Sequence, residues 1–262
     1  MQVAVIGATG TIGRAVTSEL RASGCDVVAI SRTGPVQADL TVPATLDKAL
    51  RGVDSVFLVW PAPPDAAPAA IERIAQHAKR LVFLSAPHKT AHPFFQQPNP
   101  LAAMMVRVES LIEASSLQCT ILRPGMFAAN SIPWWASQIR AGDVVRWPYG
   151  QAATAPIDER DVAAVAARVL IDDVRGDYVL TGAESLTQAQ QVQIIGDVLG
   201  RTLIFEEIPP AESGLPDMLL NAWKAAVGLP AYVTNTVAEI TGRQARTFRE
   251  WAADNAAAFR VN

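Results

Sequence analysis

Met1-Gln-Val-Ala-Val-Ile-Gly7-Ala-Thr-Gly10-Thr-Ile-Gly13-Arg-Ala-Val16 decides the fold class of this chain. Val3 to Ile6 is a short apolar run of the kind that forms a buried strand, and it runs straight into a glycine-rich turn. A helix follows at once, with Ile12, Val16 and Leu20 on one face. Each glycine answers a different steric demand. Gly7 permits the tight turn out of the strand, Gly10 lets a pyrophosphate approach the backbone, and Gly13 lets the helix pack closely on the sheet. The first-turn N–H groups of the helix and its dipole then favour phosphate charge. Three glycines alone are a weak signal; a strand before them and a helix after them make it specific. The stretch predicts a dinucleotide-binding turn.

Downstream, Ser23-Gly24 closes the helix and Asp26 to Ile30 reads as a second parallel strand. At the end of such a strand an acidic residue commonly accepts hydrogen bonds from the ribose hydroxyls. Here the position holds Ser31-Arg32. Serine does not repel a 2′-phosphate, and arginine pairs with one bidentately, so the pattern predicts NADP(H). Further strands are expected at Val36–Leu40, Asp54–Val59, Leu81–Leu84 and Cys119–Leu122, with helices at Thr45–Arg51, Asp65–Lys79 and Met104–Ser115 between them. This alternation predicts an α/β fold with a doubly wound parallel sheet and its ligands at the carboxyl edge.

Beyond Phe127 the pattern loosens. Helices are expected at Ile132–Ala141, Asp158–Ile171, Thr187–Leu199, Leu215–Val227 and Thr247–Phe259, and strands at Val144–Trp147, Asp177–Leu180 and Leu203–Ile208. The expected division is a core of about 1–127 plus 152–184, interleaved with a smaller, mostly helical lobe of about 128–151 plus 185–262.

Of the 262 residues, 50% are hydrophobic and 18% charged, enough for a sizeable core. A net charge of −3 without a long run of one sign argues against nucleic acid as a partner. Met1 leads directly into the first strand, and no apolar stretch reaches the ~20 residues of a membrane span, so a cytoplasmic protein without a membrane partner is expected. Cys25 and Cys119 read as reduced core residues. His88 and His92 alone do not make a metal site, and no metal is expected. Composition allows an oligomer.

By these residues the chain resembles the NmrA-like branch of the atypical short-chain dehydrogenases/reductases. Gly7-Ala-Thr-Gly-Thr-Ile-Gly13 is similar to the opening shared by that superfamily. Leu122-Arg-Pro-Gly-Met-Phe-Ala-Ala-Asn130 with Glu109 before it, Tyr178 to Thr187, and Phe205 to Pro209 resemble the branch itself. The resemblance implies a Rossmann core with a carboxyl-terminal lobe and substrate bound between them. It implies that Thr9, Thr11 and Ile12 touch the pyrophosphate, Arg32 the 2′-phosphate, and Asp39 with Leu40 the adenine. Trp60, Pro61, Ser85, Pro124 and Phe127 would surround the nicotinamide. The branch contains quinone and dye reductases as well as nicotinamide-sensing regulators.

Classical relatives protonate a carbonyl with a tyrosine whose lysine partner follows four residues later. Here Tyr149, Tyr178 and Tyr232 are followed at that spacing by Ala153, Gly182 and Thr236. Met105 stands where relatives often place a proton-carrying residue. Quinones, enones and imines accept hydride without a strongly placed acid, because the charge is delocalised or neutralised. The expected activity is therefore NADPH-dependent reduction of a planar small molecule, with a non-catalytic NADP(H) sensor as the alternative. His88 and Lys89 are candidate proton donors and Ser85 a candidate anchor for the carboxamide or a substrate oxygen. Trp60, Phe127, Trp134, Trp135 and Trp147 are the candidate lining of an apolar substrate pocket. Asp158 and Asp161 are expected to favour the start of their helix.

Overall fold

The computed structural model describes residues 1–261. The first half runs β1 (Gln2–Ile6), α1 (Thr11–Ala22), β2 (Asp26–Ser31), β3 (Val36–Gln37), α2 (Ala44–Ala49), β4 (Ser55–Val59), α3 (Ala67–His77), β5 (Arg80–Leu84), α4 (Pro100–Glu113) and β6 (Gln118–Pro124). The second half runs α5 (Ser131–Ala141), β7 (Val144–Trp147), β8 (Ala153–Thr154), α6 (Glu159–Ile171), β9 (Asp177–Leu180), β10 (Leu186–Thr187), α7 (Gln188–Leu199), β11 (Ile204–Glu207), α8 (Asp217–Ala226), α9 (Thr236–Thr241) and α10 (Phe248–Asp254). The chain forms two compact units. The first comprises Met1–Ala86, Pro100–Pro124 and Glu159–Val179; the second comprises Pro87–Asn99, Gly125–Asp158 and the chain from Leu180 onward.

The first unit holds a seven-stranded sheet in the order β3-β2-β1-β4-β5-β6-β9. Every pair from β3 to β6 is parallel, so each strand needs a crossover, and helices supply most of them. Strand side chains alternate between the two faces. Ala4, Ile6, Val56, Leu58, Leu81 and Phe83 pack in one core with Leu46 of α2, Ile71 and Ile74 of α3, and Val108 and Ile112 of α4. Val3, Val5, Phe57 and Val82, one register off, are equally buried. On that opposite face α1 packs against α6, with Val16, Leu20, Val162, Val165 and Val169 fully covered. Strands covered on both faces account for the near-continuous apolar runs in the sequence. This is the doubly wound Rossmann architecture expected from the alternation.

Two elements depart locally from the expected bounds. β3 stops at Gln37 because Asp39 turns the chain: its carboxylate accepts the Thr41 N–H and the Thr41 hydroxyl, each at 2.8 Å. The expected terminal helix breaks after Asp254 and continues as a tight turn over Ala256–Phe259.

The second unit contains two small sheets, β7 with β11 in parallel and β8 with β10 antiparallel, and the helices α5 and α7 to α10. A capping box between Thr187 and Gln190 starts α7, and Gly200 ends it in the left-handed conformation (φ 69°). Thr247 and Glu250 form the same box at α10. The core gathers Trp135, Trp147, Trp223, Phe248, Trp251 and Phe259. This unit is nearly as long as the first, larger than the lobe read from sequence. Residues 87–99 belong to it: the His92 ring bonds the Pro230 carbonyl at 3.0 Å, and Phe94 packs against the core. Residues 152–158 belong to it as well, with the Gln188 N–H on the Ala152 carbonyl and Arg246 paired to Asp158 at 2.9 Å. Asp158 thus carries an ion pair as well as the helix-start position assigned from sequence.

Candidate cofactor site

The steric roles of the three glycines separate cleanly in the turn between β1 and α1. Gly7 has φ 88°, a conformation L side chains rarely adopt. A Cβ on Gly13 would stand 2.1 Å from the Gly7 carbonyl oxygen and 2.9 Å from Ala8 Cα, so only glycine lets the helix approach the turn this closely. A Cβ on Gly10 would meet nothing nearer than the Gly7 carbonyl at 3.4 Å. Gly10 is exposed, and its small size leaves room for a ligand rather than for the protein. No side chain caps α1, so its first-turn N–H groups stay available to an anion.

A cavity of about 360 Å³ opens over this turn. Gly7, Thr9 and Gly10 line it from the turn, Ser31 and Arg32 from the end of β2, Asp39 with Leu40 from the loop beyond β3, and Pro61 from beyond β4. It lies at the carboxyl ends of β1, β2 and β4, where the strand order reverses around β1. Asp39 is held below its ordinary carboxylate pKa, first by the Thr41 N–H, then by the Thr41 hydroxyl, with Arg32 adding a smaller favourable charge. The Ser31 hydroxyl is buried and has no hydrogen-bond partner among the described residues. Gly34 comes close to it: a Cβ there would lie 2.6 Å from Ser31 Oγ.

At the ends of β5 and β6 the first unit buries a charged network. Arg123, 1% exposed, donates from Nη1 and Nη2 to the two Glu109 carboxylate oxygens at 2.7 and 2.8 Å. It also donates to Asp177 through Nε and Nη2, and to the Ala86 carbonyl at 2.9 Å. Ser85 donates its hydroxyl proton to Glu109 Oε1. With that proton engaged and Arg123 Nη1 already donating to it at 3.4 Å, Ser85 Oγ faces any further partner as an acceptor through its remaining lone pair. This network escaped the sequence reading as a unit. Its trace was an arginine closing an otherwise apolar strand and a glutamate at core-facing helical spacing between Met105 and Ile112.

The other expected site residues are distributed as follows. Thr11 is exposed at the first turn of α1, while Ile12 is buried beneath it, leaving its main chain as the contact it can offer. Pro124 is buried at the end of β6. Trp60 corrects the sequence reading: it is 3% exposed within the core of the first unit, packed with the residues under α3 and α4, so its ring is core and not cavity wall. Trp135 and Trp147 are corrected likewise. They are buried in the core of the second unit, with Trp134 and Trp223 packed against them at centroid separations of 5.8 to 6.0 Å. Trp134 is only half-buried, and so is Phe127, which bridges to Ile157. Ser85 belongs to the first unit, and His88 and Lys89 to the second. Met105 is buried in the first core.

A family profile described as NAD(P)H-binding matches residues 7–173, from the first glycine of the turn to just past α6. The chain belongs to the NAD(P)H-binding family. A (4-alkanoyl-5-oxo-2,5-dihydrofuran-3-yl)methyl phosphate reductase from Streptomyces griseus is 35% identical, over 98% of this chain and 99% of the relative. An NAD(P)H azoreductase from Xenophilus azovorans is 30% identical, over 98% and 99%. Among solved structures, an NADPH-dependent quinone oxidoreductase from Escherichia coli complexed with NADPH superposes with a TM-score of 0.80 at 23% identity, covering 97% of this chain and 99% of that one. It shares the fold. The turn of this NAD(P)H-binding chain fits a dinucleotide on its own geometry, through a cradle without Cβ atoms at Gly7 and Gly10, an uncapped helix start, and the unpartnered Ser31 hydroxyl. No helix among the described residues is long and apolar enough to cross a membrane.

Proposed function

We propose that this chain is an NADPH-dependent reductase that passes hydride to a planar, conjugated electrophile. The observation that carries the reading is the cavity over the glycine turn, at the point where the sheet reverses. Bound along that edge, a reduced nicotinamide would supply the hydride. Main-chain N–H groups at Thr9, Thr11 and Ile12 receive the pyrophosphate, Ser31 and Arg32 the phosphorylated ribose, and Asp39 with Leu40 the adenine. Pro61, Ser85 and Pro124 stand at the nicotinamide end. Ser85 suits the carboxamide NH₂ there, because its own proton is committed to Glu109 and its oxygen can accept. For the same reason it is a poor donor to a reacting carbonyl oxygen.

That chemistry selects the substrate class. With no tyrosine followed by lysine at the dyad spacing, a plain ketone would lack its acid. A quinone, enone or imine spreads or cancels the charge that hydride brings. The named relatives support this. The furanone in the Streptomyces griseus relative's name carries a carbon–carbon double bond conjugated to both a ring carbonyl and an alkanoyl group. The Xenophilus azovorans relative reduces azo compounds by its name.

The test follows the absorbance of protein-bound NADPH on adding quinones, doubly activated alkenes and cyclic imines. Decay that needs both protein and acceptor, and disappears in Gly10→Val, supports the reductase. A stable signal with every acceptor, despite demonstrated NADPH binding, replaces it with a nicotinamide sensor that turns nothing over.

A further inference from the structure

A second cavity of about 450 Å³ adjoins the cofactor cavity in the first unit, sharing Thr9 and Ser31 with it. Its far wall is one face of α1. Arg14, Thr17, Ser18 and Arg21 follow one another at helical spacing on that face and line the cavity together. Thr17 is 7% exposed, and its hydroxyl, like that of Ser31, has no hydrogen-bond partner among the described residues. The Arg14 guanidinium is anchored by a 2.8 Å bond to the Thr9 carbonyl, which points it at the glycine turn.

The two cavities differ in charge. The cofactor cavity presents Arg32 beside Asp39, and the two charges oppose each other. The second cavity is lined by two guanidinium groups and three hydroxyl side chains besides Thr9, with no carboxylate. A doubly charged phosphate gains more from the second environment, where no like charge offsets the cations.

We propose that Arg14 receives the 2′-phosphate of NADP(H) in this second cavity, with Arg21 adding its charge from about 10 Å lower on the same helix face, and that these two residues set the preference over NAD(H). The inference rests on the NADP(H) reading above. It moves the deciding contact from Arg32 at the strand end to the α1 face on the other side of Ser31. Arg32 then acts mainly through its neighbouring charge, partly cancelled by Asp39.

Binding of NADPH, NADH and 2′,5′-ADP is measured by titration calorimetry for the full chain and for Arg14→Ala, Arg21→Glu and Arg32→Ala. Arg14→Ala should weaken NADPH and 2′,5′-ADP by about tenfold or more and NADH by less than about twofold. Arg14 also holds the Thr9 carbonyl, so Arg21→Glu, remote from the turn, is the independent variant. It should weaken NADPH about fivefold or more and leave NADH unchanged. Arg32→Ala should cost NADPH less than Arg14→Ala does. If neither Arg14→Ala nor Arg21→Glu changes the NADPH-to-NADH ratio while Arg32→Ala abolishes it, the inference fails and the NADP(H) reading stands. If the unaltered chain binds both cofactors equally, the NADP(H) reading fails and takes the inference with it.

Discussion

Substituting the second and third glycines of the turn should separate folding from binding. In Gly13→Ala the added Cβ would sit 2.1, 2.7 and 2.9 Å from backbone atoms of Gly7 and Ala8, which cannot rotate away as a flexible side chain would. Overpacking of this kind costs up to about 3 kcal/mol, and alanine returns roughly 1 kcal/mol of helix propensity. The net expectation is a loss of about 2 kcal/mol, read as a fall in Tm of about 4–8 °C. In Gly10→Val the first added carbon meets only the Gly7 carbonyl at 3.4 Å, and the native φ of −73° is open to any residue. Its stability should change by less than about 1 kcal/mol, the size of a poorer N-cap. The side chain would nevertheless occupy the cavity, so NADPH binding should be lost. Scanning calorimetry and NADPH titration on both variants give the comparison. A Gly10→Val protein that melts well below the parent, or one that keeps its NADPH affinity, would refute the assignment of that glycine to the ligand.

Other consequences concern buried charge and titration. Glu109→Ala removes the buried carboxylate that pairs with Arg123 and leaves the partly exposed Asp177 on its other side, so it should destabilise the first unit by about 3 kcal/mol in denaturant titration. Because it also frees the Ser85 proton, Glu109→Gln is the variant in which nicotinamide affinity is compared at matched shape. Asp39 should titrate below the usual aspartate value of 3.8 by NMR. Since folding depresses its pKa, its contribution to stability is present above that value and fades as pH falls through the folded pKa; Thr41→Val should move the titration back upward. Burial, with the Glu109 charge second, pushes the Cys119 thiol up to about 12. Alkylation of Cys119 at mildly alkaline pH should therefore be negligible until the chain is unfolded, as peptide mass mapping would show.

Much of the first unit was legible because its determinants are local. The run from Val3 through Gly13 to Leu20 specifies strand, turn and helix by period and by glycine sterics, and the structure places each element there. The crossovers follow from the alternation of apolar runs, since parallel neighbours can be joined in no shorter way. Gly200 closing α7 and Thr187 opening it are equally local signals. The length of β3 was less accessible, because it is cut by the side chain of Asp39 turning back on Thr41.

What the sequence determined by itself was a doubly wound parallel sheet and the glycine cradle at its carboxyl edge, both consequences of short-range sterics and hydrophobic period. Only the tertiary structure decided which aromatic and charged side chains face outward. Trp60, Trp135 and Trp147 suit a ligand pocket and a protein core equally by composition, and packing put all three in cores. Glu109, Arg123 and Asp177 are up to 68 positions apart, yet both carboxylates pair with the one guanidinium because three elements bring them side by side. Arg14 and Arg21 lie on an exposed helix face, and the fold places that face beside Ser31. Desolvation and charge pairing act through space rather than along the chain, and the fold alone sets those distances.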